Sequence, residues 1–207
     1  MAQFFEMHPA NPQPRLVRGA VEILRNAGVI VYPTDSSYAL GCQLGAKEAM
    51  ERIRRIRGLD DKHNFTLVCR DLSEITTYAK IDNQAFRTLK GLTPGPYTFI
   101  FEATKQVPRR MLHPKRKGIG IRVPDNAICR ALLTELDEPI LSATLLLPGQ
   151  EHPMTDPQAM RDALDRQVDL IVDGGAGGME PSTVVDMTAE PYTVVRAGLG
   201  DPSLFES

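Results

Sequence analysis

At 207 residues, with 42% hydrophobic and 24% charged side chains, the chain is long enough to bury a full core and too apolar for bulk disorder. Its longest apolar runs, 29–32 and 140–147, are strand-sized and fall short of the ~18 residues a membrane-spanning helix needs. The net charge of −2 hides a gradient: residues 151–207 hold 3 cations and 11 acids, net −8, whereas residues 1–150 hold 21 cations and 15 acids, net +6. Such asymmetry allows an anion-binding face in the first 150 residues without saying which anion. Cys42, Cys69 and Cys129 form no CxxC pair, and the four histidines are scattered. This spacing argues against a zinc site, any other metal cluster or a disulfide framework, and it points to a reducing cytoplasm. The first residues have neither the basic start nor the apolar stretch of an export signal, so export is not expected.

In chain order, Leu16, Ala20, Ile23 and Leu24 recur at helical spacing and predict an amphipathic helix over 15–26. A short strand over 29–32 follows, stopped by Pro33-Thr34-Asp35-Ser36-Ser37. A strand running into a hydroxyl- and Asp-rich turn is where α/β proteins place ligands. Residues 47–57 predict a helix with Met50, Ile53 and Ile56 as its apolar stripe, arginines 52, 54, 55 and 57 on its other faces, and Gly58 as its stop. A strand is predicted over 65–69, helices over 72–78 and 83–90, and a strand over 97–103 after the turn Thr93-Pro94-Gly95-Pro96. An alternating strand over 118–123 ends at Pro124. Next come a helix over 126–136 with Asp125 as its cap, a strand over 140–144 and a helix over 157–167. Strands over 170–172, 183–186 and 192–196 complete the pattern. Because strands and helices alternate imperfectly, the expected fold is α/β: one domain over 13–200 with a twisted mixed parallel/antiparallel sheet and flanking helices. Residues 1–12 and 201–207 read as terminal extensions.

Four features could carry chemistry. Arg54, Arg55 and Arg57 either face water or, leading into the polar segment 58–64, form a guanidinium cluster suited to a triphosphate. Residues 105–122 carry seven cations and no acid, which fits a solvated loop or a track for a nucleic-acid backbone. Ser142 and Thr144 sit two apart in an apolar strand, so they share a face and are either satisfied internally or offered to a ligand. The Gly-rich loop 174–178 lacks the GK[ST] ending of a phosphate-binding loop and reads as a plain loop. His63, in a charged segment, reads as solvated, and no Ser/His/Asp, HExxH or nucleophilic Cys pattern supports covalent catalysis.

Several segments together resemble the YrdC/YciO-like family, which includes threonylcarbamoyl-adenylate synthases. Pro33-Thr34-Asp35-Ser36-Ser37-Tyr38-Ala39-Leu40-Gly41 is similar to its PT[DE]T-x-YGLG signature, and Ile56-Arg57-Gly58-Leu59 stands where synthases have I-K-x-R. Lys62-His63-Asn64-Phe65 resembles KDNP, Pro94-Gly95-Pro96-Tyr97-Thr98 resembles PGPxT, and Arg122-Val123-Pro124 resembles RxP. Ser142-Ala143-Thr144 stands at S-A-N, 182–186 at STVVD and Arg196-Ala197-Gly198 at the final RxG. The short length and the run 63–67 resemble the YciO branch most.

The resemblance implies a sheet with a basic concave groove. It also implies ATP with Mg²⁺, L-threonine and bicarbonate as reactants, giving threonylcarbamoyl-AMP and pyrophosphate for threonylcarbamoyladenosine formation on tRNA. Carried onto this sequence, Arg57, with Arg55, would hold the triphosphate. Ser142, Thr144, Arg196 and Lys62 would contact the nucleotide. Thr34, Tyr38, Arg122 and Ser182 would frame the threonine, with Arg122 pairing its carboxylate. The family's association with double-stranded RNA implies an alternative: an RNA- or tRNA-binding protein without turnover, using Arg109, Arg110, Lys115, Arg116 and Lys117. The sequence departs from the family pattern at Arg57 (for Lys), Leu59 (for Arg, unless Arg55 supplies that charge), Thr144 (for Asn), Ala39 (for Gly) and Cys69 (for His).

Overall fold

A computed structural model describes residues 1–60, 63, 65–112 and 118–205 of the chain. Among them, ten strands form one mixed sheet: β1 (Gln3–Glu6), β2 (Ile30–Tyr32), β3 (Ala39–Gln43), β4 (Thr66–Val68), β5 (Tyr97–Glu102), β6 (Gly118–Arg122), β7 (Ile140–Thr144), β8 (Leu170–Asp173), β9 (Thr183–Asp186) and β10 (Thr193–Arg196). Their spatial order is β1-β8-β2-β3-β7-β4-β6-β5-β9-β10. Six helices flank it: α1 (Pro14–Arg25), α2 (Lys47–Arg57), α3 (Leu72–Tyr78), α4 (Asn83–Leu92), α5 (Ala127–Leu136) and α6 (Pro157–Leu164). The protein is a single-domain α/β fold. None of the helices among the described residues is long and apolar enough to cross a membrane.

Period-two alternation sorts the residues of β2, β3, β4, β7 and β8 between two apolar clusters. On one face, Val31, Leu40, Leu67, Phe99, Ile121, Leu141 and Val185 pack with α2, α3, α4 and α6. On the other, Ile30, Tyr32, Ala39, Val68, Ile140, Leu170 and Val172 pack under α1 and α5, which bury Val17, Val21 and Leu24 and Ile128, Leu132 and Leu133. Burying each Val, Leu, Ile or Phe among these side chains contributes about 1.5–3 kcal/mol. The two helices cover the part of the sheet centred on β8, β2 and β3. Beyond them the same face continues as Thr66, Thr98, Gly120, Arg122, Ser142, Thr144 and Val184, which line a cleft.

Three expectations are corrected. Residues 1–12 are more than an extension, because Gln3–Glu6 pairs in parallel with Leu170–Asp173 as the edge strand of the sheet. At the other end, Phe205 meets the rings of Tyr97 and Phe99 edge-on at 6.2 and 6.4 Å, so 201–205 closes over the core. The cap of α5 is Asn126, whose Oδ1 accepts from the Cys129 amide at 3.0 Å, while Asp125 reaches sideways to Arg130 at 3.0 Å. Strand β3 was not predicted: Ala39, Gly41 and Cys42 are small, and its antiparallel pairing with both β2 and β7 holds it in the sheet.

Small size at Gly41 is itself a requirement. A Cβ there would lie 2.7 Å from both Ile140 Cγ2 and Tyr32 Cε1. Gly41→Ala is therefore expected to lower stability by about 1–3 kcal/mol through overpacking, read as an earlier midpoint in urea unfolding; an unchanged midpoint contradicts this packing.

Candidate active site

Helix α2 ends because Gly58 adopts φ 63°, the left-handed conformation that glycine takes at least cost. The turn delivers Arg57 to the wall of the cleft, which has a volume of about 420 Å³. Arg57 donates from Nη1 to the carbonyl of Leu146, in the loop after β7. Arg122 comes from the floor, at the end of β6, and Arg196 from the last residue of β10. Three guanidinium groups from three separate elements thus share one cavity.

Each is held differently. Arg122 is almost wholly buried, and its Nη2 bonds Asp35, Ser36 Oγ at 2.7 Å and Thr34 Oγ1 at 3.3 Å. Asp35 is itself fixed by the Asp125 amide, which donates to it at 2.9 Å. Arg196 lies against the Ser182 carbonyl, with Nη2 at 2.7 Å and Nε at 3.3 Å. The Nε atoms of Arg57 and Arg122 are buried with no hydrogen-bond partner among the described residues. Burial, and then Arg196, holds the Arg57 pKa below its ordinary value; burial, and then Arg122, does the same to Arg196. Guanidinium groups stay protonated under such shifts, so the cleft remains cationic. Among the described lining residues only Glu151 is acidic.

The other expected residues divide. Thr144 and Ser182 line the cleft, and Ser182 Oγ is hydrogen-bonded to Thr98 Oγ1 at 2.7 Å. Ser142 also lines it, but its hydroxyl donates to Leu40 O at 3.1 Å and accepts from Tyr32 at 2.8 Å, so it is no free donor. Thr34 acts through Arg122, as above, and its hydroxyl also donates to Ser37 O at 2.6 Å. Tyr38 is fully buried outside the cleft; burial pushes its phenol up to about 12, and it ties down the loop after β8 by donating to Gly175 O and accepting from the Gly174 amide. Arg55 is exposed on α2 and does not reach the cleft, whereas Arg54 is buried over the Phe65 ring, 5.4 Å from its centroid. Arg109 is exposed in a 3-10 turn, Arg109–Met111, that also holds Arg110; Lys62, Lys115, Arg116 and Lys117 lie outside the described residues. Burial raises all three thiols, Cys42 and Cys129 to about 12, which removes them as nucleophiles.

Residues not singled out from sequence also belong to the site. Asp35 and Ser36 anchor Arg122, Glu151 and His152 form part of the rim, and His63 is in the wall rather than in solvent. The hydroxyl-rich turn 33–37 was the available signal for the first two.

The sequence profile of the Sua5/YciO/YrdC family, described as "Telomere recombination", matches residues 22–198. The chain belongs to this family. It is 59% identical to the uncharacterised protein YciO of Escherichia coli over 205 residues, 99% of this chain and 100% of that one. The crystal structure of E. coli YciO superposes with a TM-score of 0.96 over 99% of this chain and all of the other. A threonylcarbamoyl-AMP synthase of Coxiella burnetii is 28% identical over 162 residues, 78% of this chain and 86% of that one. Sua5 of P. abyssi, solved in complex with L-threonine, shares the fold at a TM-score of 0.86 and 23% identity, covering 94% of this chain and 57% of that chain. YciO and Sua5 therefore share this chain's architecture.

The buried pair at the cleft floor yields a stability test. Asp35→Ala strands Arg122, whose side chain is 9% exposed, without its counter-charge. The expected loss is about 3–5 kcal/mol in urea unfolding, because a buried charge is left unpaired. Asp125→Ala, which removes only the exposed Arg130 pair, should leave the midpoint close to that of the wild type.

Proposed function

We propose that the protein binds ATP and L-threonine in this cleft and forms threonylcarbamoyl-AMP and pyrophosphate with bicarbonate. The observation that carries the reading is the convergence of Arg57, Arg122 and Arg196 on one cavity, with buried Nε donors on two of them. An α-amino-acid carboxylate suits Arg122, whose fork is pre-oriented by Asp35 and Ser36. The threonine complex of Sua5 supports the same ligand class here. Polyphosphate suits Arg57 and Arg196, which bond backbone carbonyls and lack a carboxylate of the Asp35 kind among their described partners.

In this reading threonine and bicarbonate lose water to give the carbamate. A carbamate oxygen then attacks the α-phosphorus of ATP, and the bond to the β-phosphate bridging oxygen breaks. The charge that develops on pyrophosphate is met by fixed guanidinium groups, so catalysis rests on positioning and electrostatics. Among the described residues, no group of three or more His, Cys, Asp or Glu could hold a metal. The donors present fit a Mg²⁺ carried in on the phosphates, as Mg²⁺ ordinarily is in nucleotide sites; Glu151 is the lining carboxylate within its class.

The test is pyrophosphate release from ATP, L-threonine and bicarbonate. Wild-type protein is expected to release it in a threonine-dependent manner, and Arg57→Ala to lower the rate at least about a hundredfold, as removal of one oxyanion donor does elsewhere. Arg55→Ala should match the wild type, since Arg55 lies outside the cleft. Equal release by wild type and Arg57→Ala, or none by either, rejects the reading.

A further inference from the structure

His63 is a half-buried imidazole built into the cationic wall. It follows the end of α2, its amide donates to Asp60 O at 3.2 Å, and its ring stands edge-on to Phe65 with centroids 6.0 Å apart. Backbone and ring contacts therefore fix it facing the same cavity as Arg57 and Arg196. The reaction as proposed leaves it without a task.

We propose that His63 is a proton-linked contact for the polyphosphate: its imidazole takes up a proton when pyrophosphate or the ATP tail seats on Arg57 and Arg196. The inference rests on the phosphate assignment made above and adds to it a residue and a pH dependence. Its physical basis is local charge. Burial first, and then Arg57, with Arg54 and Arg196 adding, pulls the free imidazole below its ordinary pKa, while Asp60 opposes them. Among the described residues, Arg122 on the floor and Glu151 and His152 in the loop after β7 complete the charged and titratable groups facing the cavity. A bound anion bearing several negative charges screens those guanidinium groups and itself favours the imidazolium, so the pKa rises on binding. The sign follows: between the free and bound pKa values, binding takes up a proton, and affinity falls as pH rises. His63 then adds its charge to those of Arg57, Arg122 and Arg196 when phosphate is bound.

The experiment uses the full-length protein and inorganic pyrophosphate as the probe. The His63 imidazole is titrated by NMR with and without pyrophosphate, and the dissociation constant is measured from pH 5.5 to 8 for wild type and His63→Gln. The expected result is an upward shift of the His63 pKa on binding. The wild-type dissociation constant should also rise by up to about tenfold per pH unit more than that of His63→Gln across the window between the two values. Comparing the two proteins cancels the titration of pyrophosphate itself. If pyrophosphate binds and the His63 pKa does not move, the inference fails while the phosphate assignment stands. If pyrophosphate does not bind at all, or binds equally well to Arg57→Ala, the phosphate assignment fails and the inference goes with it. The wild-type titration does not depend on how the variant folds.

Discussion

The site depends on one buried ion pair. Arg122 and Asp35 come from different elements: the end of a sheet strand, and the turn that follows β2. Neither charge is tolerable alone at that depth, so the pair forces the turn down onto the strand. Ser36 and Thr34 then reach the same guanidinium, and the Asp125 amide reaches Asp35. The turn and the entry to α5 thereby share a hub. A floor fixed in this way places the other arginines by default, because Arg57 and Arg196 enter from elements packed around that floor.

The cleft itself is a consequence of incomplete cover. A ten-stranded sheet is wider than two helices, and α1 and α5 pack side by side over its β8-β2-β3 region. The strands on the far side keep the same alternation, but their outward positions change character. Ile30, Tyr32 and Ile140 give way to Thr66, Thr98, Gly120, Arg122 and Thr144. Polar residues are tolerated on this half because they face the open cleft rather than α1 or α5. Tyr32 marks the boundary: its ring lies in the apolar half and its hydroxyl reaches Ser142, which lines the cleft.

Much of the fold was legible where periodicity was strong. Helices α1, α2 and α5 and strands β5, β6 and β7 follow directly from spacing. Strand β3 was not legible, since Ala39, Gly41 and Cys42 carry little strand signal, and its place is decided by two neighbours distant in sequence. Within the site, family-like motifs pointed to Arg57, Arg122, Ser182 and Arg196, and the cleft contains them all. What local pattern could not supply was the partner of each group. Nothing in sequence says that Ser142 spends its proton on Leu40, that Tyr38 is locked to Gly174 and Gly175, or that α2 turns Arg54 inward and Arg55 out. Those outcomes depend on contacts between segments more than 100 residues apart, or on the rotation of a helix whose arginines occupy several faces.

Of the departures from the synthase pattern, Arg57, Ala39 and Thr144 line the cleft, whereas Cys69 is buried in the core. Arg122, Thr34 and Ser182, proposed to hold the amino acid, match the family motifs, and each is tied into the buried network of the floor. Arg57 and Thr144, proposed to meet the nucleotide, do not match, and both line the cleft. Replacing lysine by Arg57 preserves a cation but substitutes a planar fork for a compact ammonium. That fork uses Nη1 on Leu146 O and keeps a buried Nε without a described partner. A lysine reaching the same carbonyl would hold all its donors on one nitrogen at that point; arginine spreads its donors over a planar fork and can serve the loop from one nitrogen while offering others to an anion. Arg57 therefore ties the end of α2 to the loop bearing Glu151 and His152, whereas Arg122 stays anchored to the sheet.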